Sequence, residues 1–420
     1  MTLTTPAASR ALGGIRTATV LSCAVLVGCA LLTGCQRGDG GGSGDRPDPK
    51  ARSSDAPVPH GYVEGAEETS EQQSRLVLAD AGTGAVGVLD LIGGEVTPLK
   101  RAEGVQGLRA DGRFAYLTAA GATRVLDSGA WTVDHGDHVH YYRTGIRDVG
   151  AIEATAPAHV HGDPALTALS SGTGAALLLD REELESGSAG RGRALAGAGR
   201  GAVVPYREHL LVASAGAERA TVRILSRDGT DVATLGEPCA AAGGAAVTRR
   251  GVVFGCSDGA LLVTEEKGAF SAEKISYGTR VSASERAVDL RHRAGSTTLV
   301  ATSGDDAVWI LDVTDRTWTR VETGPVVAVN TAGEGAPLLA LGEDGALSAY
   351  DTGTGERTAR VPLLSAKGAA SAVIEVDTSR AYVNDAAARK VYEIDYNDRL
   401  RLARTFPLGF APTYMVETGR

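Results

Sequence analysis

Five of the eight histidines in this 420-residue chain lie between positions 135 and 161. They occur as His135-Gly-Asp-His138-Val-His140 and, further along the chain, as His159-Val-His161. Neutral imidazole is a good ligand for divalent transition metals. In an extended segment alternate side chains point to the same face, about 7 Å apart along the backbone, so each His-x-His pair could direct both rings at one ion. The spacing therefore predicts a transition-metal site.

Carboxylates accompany these histidines. Asp137 lies inside the first motif, Asp134 precedes it and Asp163 follows the second. Each could act as a hard oxygen ligand or as the acceptor that holds an imidazole in its metal-binding tautomer. We include Asp137 among the candidate ligands. The alternative is a solvated loop whose histidines are ordinary surface residues.

The N-terminal residues place the site outside the cytoplasm. Arg10 and Arg16 precede an apolar run over residues 18–32, which ends in Leu-Thr-Gly-Cys35. A short apolar run behind basic residues is typical of a signal peptide, and its ending resembles a bacterial lipobox, in which the cysteine is acylated. We expect a lipoprotein signal peptide over 1–34 with lipidation at Cys35, against plain secretion, and a flexible tether over 35–58, where apolar residues are almost absent.

Besides the expected lipidation site Cys35, two cysteines remain in the mature chain, Cys239 and Cys256. In an extracellular protein such a pair favours a disulfide bond over a metal site, since its spacing is far from Cys-x-x-Cys. The net charge is −9, and the basic residues are scattered. Nucleic acid is therefore not expected as a partner.

The body of the chain repeats one unit, which is an apolar strand, a small or acidic turn and a second apolar strand ending in an acid. Eight units are present, starting at Leu76, Tyr116, Thr167, Leu211, Val253, Val300, Leu339 and Tyr382. Equivalent positions are 39 to 52 residues apart, which is the period of a four-stranded propeller blade. The longest step, from Leu117 to Leu169, contains the histidines, so we expect an insertion in that blade.

The two ends of this region complement each other. Residues 411–419 look like an inner strand without its hairpin, whereas the first unit lacks an inner strand. Pairing them would close the ring and remove two exposed sheet edges. The sequence therefore predicts an all-β propeller over 59–420, with eight blades rather than seven. A pair of β-sandwiches or an open solenoid is the alternative architecture.

The run from Trp131 to Tyr142, the Pro157-x-His-Val segment, Phe254-Gly-Cys-x-Asp-Gly259 and the ending Glu417-Thr-Gly resemble the AztD family of extracytoplasmic zinc metallochaperones. The resemblance spans most of the chain after the tether. It implies a propeller that binds zinc and passes it to the solute-binding protein of a zinc ABC transporter, without being an enzyme itself.

The sequence departs from that family in three places. The chain has Ala242-Gly-Gly-Ala245 where the family carries Leu-His-Gly-Glu, so one candidate ligand is missing. The N-terminal region offers only His60 in place of a His- and Asp-rich segment, and the spacing within 157–163 is shortened. These departures bear on zinc affinity and transfer.

The overall expectation is a monomeric zinc lipoprotein on the outer face of the cytoplasmic membrane. Two other classes stay open on the residues alone. One is a zinc-dependent hydrolase or lyase, which would need a coordination position open to water beside an acid or base. The other is a metal-free interaction propeller.

Overall fold

A computed structural model describes residues 61–153, 156–213 and 220–420. The expected signal peptide (1–34), tether (35–58) and lipidation site Cys35 lie outside these residues, as does the expected domain start at residue 59. In the described part of the chain, no helix is long and apolar enough to cross a membrane.

The described residues form 34 strands and very little helix. The strands of the first half are β1 (Glu67–Thr69), β2 (Arg75–Ala79), β3 (Val86–Asp90), β4 (Val96–Leu99), β5 (Val105–Ala110), β6 (Phe114–Ala119), β7 (Ala122–Asp127), β8 (Ala130–Asp134), β9 (Val139–Arg143), β10 (Arg147–Ile152), β11 (His159–Gly162), β12 (Leu166–Ser170), β13 (Ala176–Asp180), β14 (Arg193–Leu195), β15 (Val203–Tyr206), β16 (His209–Ala213) and β17 (Val222–Ser226). Those of the second half are β18 (Asp231–Thr234), β19 (Ala245–Thr248), β20 (Gly251–Cys256), β21 (Gly259–Glu266), β22 (Ala269–Ser276), β23 (Thr298–Ser303), β24 (Ala307–Asp312), β25 (Thr317–Glu322), β26 (Val326–Thr331), β27 (Leu338–Gly342), β28 (Ala346–Tyr350), β29 (Arg357–Pro362), β30 (Ile374–Val376), β31 (Ala381–Asp385), β32 (Lys390–Asp395), β33 (Arg401–Pro407) and β34 (Tyr414–Thr418). The helices are α1 (Arg181–Glu185), α2 (Ala366–Ala369) and a 3₁₀ turn at Ala283–Glu285.

The strands build antiparallel sheets in chain order. Seven of the described sheets are four-stranded: β5–β7 with β10, β11–β14, β15–β18, β19–β22, β26–β29, β30–β33, and β2–β4 with β34. The sheets β23–β25 and β1-β9-β8 have three strands. In the composite sheet, β34 pairs antiparallel with β2, with Val416 opposite Val77. The C-terminal strand therefore supplies the inner strand for the first hairpin of the chain.

Turn chemistry and burial explain why these segments form hairpins. In the turn after β2, the Asp80 carboxylate accepts the backbone N–H groups of Gly82 and Thr83 at 2.8 and 3.2 Å. The turn continues through Gly84, whose φ is +71° and where a Cβ would lie 2.4 Å from the Ala102 carbonyl oxygen. Only glycine avoids that strain. The second strands of the sheets are almost wholly apolar because both of their faces are covered.

The apolar core lies between successive sheets. Eight buried clusters each join two neighbouring sheets, for example Val77 with Leu117, and Leu211 with Phe254. The cluster containing Leu78 and Tyr382 joins the β30–β33 sheet to the composite sheet. Sheets stacked face to face in a closed ring are a β-propeller, so the expected fold class is confirmed.

The number of blades depends on the sheet β23–β25. Among the described residues, no regular strand fills the inner position of this sheet. A single antiparallel β-bridge between Arg291 and Val300 lies there instead. The count of eight blades stays a prediction.

The insertion expected between Leu117 and Leu169 is present. β7 and β10 are neighbours in one sheet, yet β8 and β9 lie between them in sequence and form a hairpin outside it. This inserted hairpin (130–143) carries three of the histidines.

Candidate metal site

The tip of the inserted hairpin is a four-residue turn. Asp134, the last residue of β8, pairs with Val139, the first residue of β9. Between them, the His135 N–H donates to the His138 carbonyl at 3.0 Å. Gly136 has a φ of +90° and donates its N–H to the Asp134 carboxylate at 2.7 Å. The turn places His135 and His138 at the tip. Because strand side chains alternate, His140 emerges on the same side as His138.

These three histidines form one cluster. Their ring centroids are separated by 4.8 Å for His135 and His138, 4.9 Å for His138 and His140, and 5.3 Å for His135 and His140. Candidate ligand nitrogens all lie within 4.8 Å of one another. A tetrahedral zinc ion with Zn–N bonds of about 2.0–2.1 Å needs nitrogens about 3.3 Å apart. Side-chain rotation of exposed histidines at a hairpin tip can close that difference.

Two carboxylates orient two of the rings. Asp137 lies 2.8 Å from Nδ1 of His138, and Glu68 lies 2.6 Å from Nδ1 of His140. When Nδ1 carries the proton and donates it to the carboxylate, Nε2 keeps its lone pair, which is then available to a metal. The hydrogen bond from His138 is the main cause that lowers the pKa of Asp137. Asp137, a candidate ligand on sequence, thus stands in the acceptor position.

A stacked column anchors the hairpin to the propeller. The His140 ring stacks on Tyr142 at 6.2 Å, and Tyr142 stacks on Trp131 at 5.3 Å. The guanidinium carbon of Arg113 lies 3.8 Å from the centre of the Trp131 ring. Arg113 is itself buried and makes two hydrogen bonds to the Asp127 carboxylate at 3.0 and 3.1 Å. His140 is therefore the histidine of the cluster most directly supported by the core.

The hairpin also contacts two distant sheets. The Thr132 hydroxyl donates to the Gly419 carbonyl at 2.9 Å, just after β34, and Asp134 pairs with Arg249 at 3.2 Å, just after β19. Both contacts lie where inner strands end. The hairpin therefore lies over the face of the propeller at which these inner strands end.

His159 and His161 occupy a different environment. They lie on the inner strand β11, with nearly parallel rings 6.5 Å apart, and they are not part of the three-histidine cluster. Burial, followed by the neighbouring His159 and His292, lowers the pKa of His161 to about 3. Burial, followed by Arg109, lowers the pKa of His159. Both rings are therefore neutral at physiological pH and stay candidate zinc ligands, within the propeller rather than at the tip.

No sequence pattern indicates Glu68, and the sequence predicts His292 to be a surface or hydrogen-bonded residue rather than a ligand. Glu68 is 72 positions from His140 in the chain, so no local spacing connects them. His292, which stands alone in the sequence, is half-buried near His161; its Nε2 lies 3.2 Å from the Val247 carbonyl, and desolvation lowers its pKa to about 4. Only the fold brings these two distant segments together.

The expected disulfide between Cys239 and Cys256 is present, with a Cα–Cα distance of 5.0 Å. Both cysteines are buried in the core between β15–β18 and β19–β22, together with Ala242. The position where the resemblance would place an additional histidine is Gly243, which is half-buried and directly follows Ala242 in the chain.

No protein-family model and no curated protein matches this chain. Among solved structures, it is similar to AztD from Citrobacter koseri, with a TM-score of 0.69 and 19% identity over 83% of this chain and 98% of that one. The apo form of the same protein gives a TM-score of 0.69 at 18% identity, with the same coverage. Dihydro-heme d1 dehydrogenase NirN in complex with DHE gives a TM-score of 0.50 at 15% identity, over 82% of this chain and 75% of that one. At these identities the likeness shows the β-propeller fold.

Proposed function

We propose that this protein is an extracytoplasmic zinc-binding propeller that delivers Zn²⁺ to the solute-binding protein of a zinc ABC transporter. The observation that carries the proposal is the cluster of His135, His138 and His140 at an exposed hairpin tip, with carboxylates on two of the Nδ1 atoms. The histidine motif resembles that of the AztD metallochaperones, and the structural likeness to AztD supports the same interpretation.

The donor set favours zinc. Imidazole with nearby carboxylate suits zinc, whereas copper(I) sites favour thioether and thiolate. The chain has only two methionines, and both cysteines of the described part are joined in the disulfide. Copper(II) could still bind in vitro, since it stands above zinc in the Irving–Williams order.

The position of the cluster supports a carrier over a hydrolase. Three imidazoles leave one tetrahedral position for water or for a ligand of the receiving protein. His135 and His138 are exposed, so an approaching protein could replace them one at a time. The two nearest carboxylates are already engaged by imidazole N–H groups. Two cavities of about 490 and 370 Å³ are lined by residues other than the three histidines, so neither places a substrate pocket at the cluster.

We place the protein on the outer face of the cytoplasmic membrane, as a monomer held by a lipid on Cys35. The buried disulfide supports an oxidising compartment. Mass spectrometry of the protein from a membrane fraction tests the anchor: a mature N-terminus at an acylated Cys35 is expected, and an unprocessed N-terminus would exclude it.

Zinc binding is tested with untagged protein. The His138→Ala, His140→Ala double variant is expected to lose the tight zinc equivalent, because the remaining imidazole cannot hold the ion alone. His209→Ala is the matched control, since His209 makes an edge-to-face contact with Phe270 and is not part of the three-histidine cluster. Zinc should also bind more weakly as pH falls, because protons compete for the imidazole lone pairs. Wild-type zinc affinity in the double variant would contradict the site and favour a metal-free propeller.

Delivery is tested by stopped-flow mixing of the zinc-loaded protein with an apo solute-binding protein of a zinc transporter. A handover through the open coordination position should give a transfer rate that rises with acceptor concentration and exceeds the rate of loss to a small chelator. A rate that equals the chelator rate at every acceptor concentration would mean passive release.

A further inference from the structure

Strand β1 brings a residue from the N-terminal part of the described chain to the histidine cluster. β1 pairs antiparallel with β9, with Glu68 opposite Tyr142 and Glu67 opposite Arg143. His140 lies two residues before Tyr142 on β9, so it is the diagonal neighbour of Glu68 on the same face. Diagonal pairs of this kind are within reach of long side chains. The Glu68 carboxylate accordingly lies 2.6 Å from Nδ1 of His140.

The two residues beside Glu68 have different contacts. Glu67 points to the other face and pairs with Arg143 at 2.9 Å. Thr69 donates its hydroxyl to the Tyr141 carbonyl at 3.3 Å. Three consecutive side chains of β1 thus engage β9, and of these three only Glu68 contacts a histidine of the cluster.

The contact between Glu68 and His140 is better shielded from water than the corresponding contact between Asp137 and His138. The side chains of His140 and Glu68 are 23% and 45% exposed, whereas those of His138 and Asp137 are 56% and 83% exposed. His140 also stacks on Tyr142. A carboxylate that accepts Nδ1–H fixes the tautomer and ring orientation of a ligating histidine and increases its basicity toward the metal.

We propose that Glu68 is a positioning residue of the zinc site, which holds His140 with its Nε2 lone pair directed at the ion. This inference rests on the proposed zinc function. It makes strand β1 part of the site, so that the site is assembled from two segments separated by 72 positions in sequence.

The test compares Glu68→Ala and Glu68→Gln with Glu67→Gln, a matched control on the same strand. Zinc affinity is measured by competition with a chelating fluorophore. Loss of a carboxylate that orients a ligating histidine typically weakens metal binding by about 10- to 100-fold, and we expect a loss in that range for Glu68→Ala. Glu68→Gln keeps an acceptor oxygen and should lose less, whereas Glu67→Gln should stay within about twofold of wild type, because its partner Arg143 is not a ligand.

A second measurement separates positioning from strand docking. Long-range ¹H–¹⁵N spectra of the metal-free protein report which nitrogen of His140 carries the proton. Wild type and Glu67→Gln should show the Nδ1–H tautomer, and Glu68→Ala should shift away from it while the melting temperature stays unchanged. That readout would not move if Glu68 served only to hold β1 in place.

The outcomes distinguish this inference from the zinc function itself. If His138→Ala, His140→Ala abolishes zinc binding but Glu68→Ala binds zinc as wild type does, the positioning role is wrong and the zinc function stands. X-ray absorption that detects a Glu68 oxygen bonded directly to zinc would also overturn the positioning role. If wild type binds no zinc, both fail together.

Discussion

At the scale of single residues, the environment divides the histidines into two groups. At the hairpin tip His135 and His138 are exposed and His140 is half-buried. His138 and His140 hydrogen-bond carboxylates, which prepares Nε2 for a metal. His161 and His292 are half-buried, and desolvation is the main cause that lowers their pKa values. Composition alone cannot distinguish the two groups, because the same imidazole can be an exposed candidate ligand or a neutral, partly buried group.

Glu417 provides a prediction at the same scale. It is fully buried on β34, its Oε1 atom has no hydrogen-bond partner, and burial raises its pKa to about 8. The folded-state pKa is higher than the unfolded value near 4.5, so the folded protein holds the proton more tightly. The stabilising effect of that proton is complete below pH 4.5 and is lost as pH rises toward 8. Glutamine mimics the protonated acid at every pH.

We therefore expect Glu417→Gln to match wild type near pH 4.5 and to become more stable than wild type as pH rises, by a free energy of unfolding on the order of 4 kcal/mol at pH 8. Denaturant unfolding at several pH values measures this difference. Glu356→Gln, at an exposed position in a turn, serves as the control. A stability difference that does not change with pH would contradict the expectation.

At the scale of strands and hairpins, periodicity predicted a large part of the structure. The alternating apolar segments and acidic turns became hairpins, and the long step between Leu117 and Leu169 became an inserted hairpin. The contact between β1 and β9 was not predictable, since Glu68 lies in a three-residue strand with exposed neighbours and no apolar pattern. The separation of His159 and His161 from the tip cluster was also hidden, because a shared motif does not show that two segments meet in space.

The disulfide between Cys239 and Cys256 is expected to stabilise the fold without taking part in zinc binding. Its two ends are 17 residues apart in sequence and are buried between neighbouring sheets. Replacing both cysteines by alanine should lower the free energy of unfolding by about 3 kcal/mol, as measured with urea. Zinc affinity should be unchanged, because the histidine cluster contains neither cysteine.

Thiol labelling provides the control for that variant. Folded wild-type protein kept without reductant should expose no reactive thiol at either position, and reduced wild type should unfold at lower urea. Two labelled thiols in the unreduced protein, or a loss of zinc in the double alanine variant, would refute a purely structural role.

At the scale of the whole molecule, β34 links ring closure to the candidate metal site. Its pairing with β2 completes the composite sheet, and Met415 contributes to the cluster that joins this sheet to β30–β33. The residue after it, Gly419, accepts the Thr132 hydroxyl of the inserted hairpin and donates its N–H to the Gly112 carbonyl at 2.7 Å. One short C-terminal segment thus supports the ring and the base of the hairpin together.

Removing residues 411–420 should therefore disturb both properties. Without β34, β2 becomes an unpaired edge, and we expect the melting temperature to fall by at least about 10 °C. Zinc affinity should fall as well, since the hairpin loses its contact with Gly419. A synthetic peptide of residues 411–420 added in trans should pair with β2 and restore both, whereas a scrambled peptide of the same composition should restore neither. A truncated chain that keeps the wild-type melting temperature would show that β34 does not close the ring. If the peptide restores the melting temperature but not zinc affinity, then β34 closes the ring without supporting the hairpin.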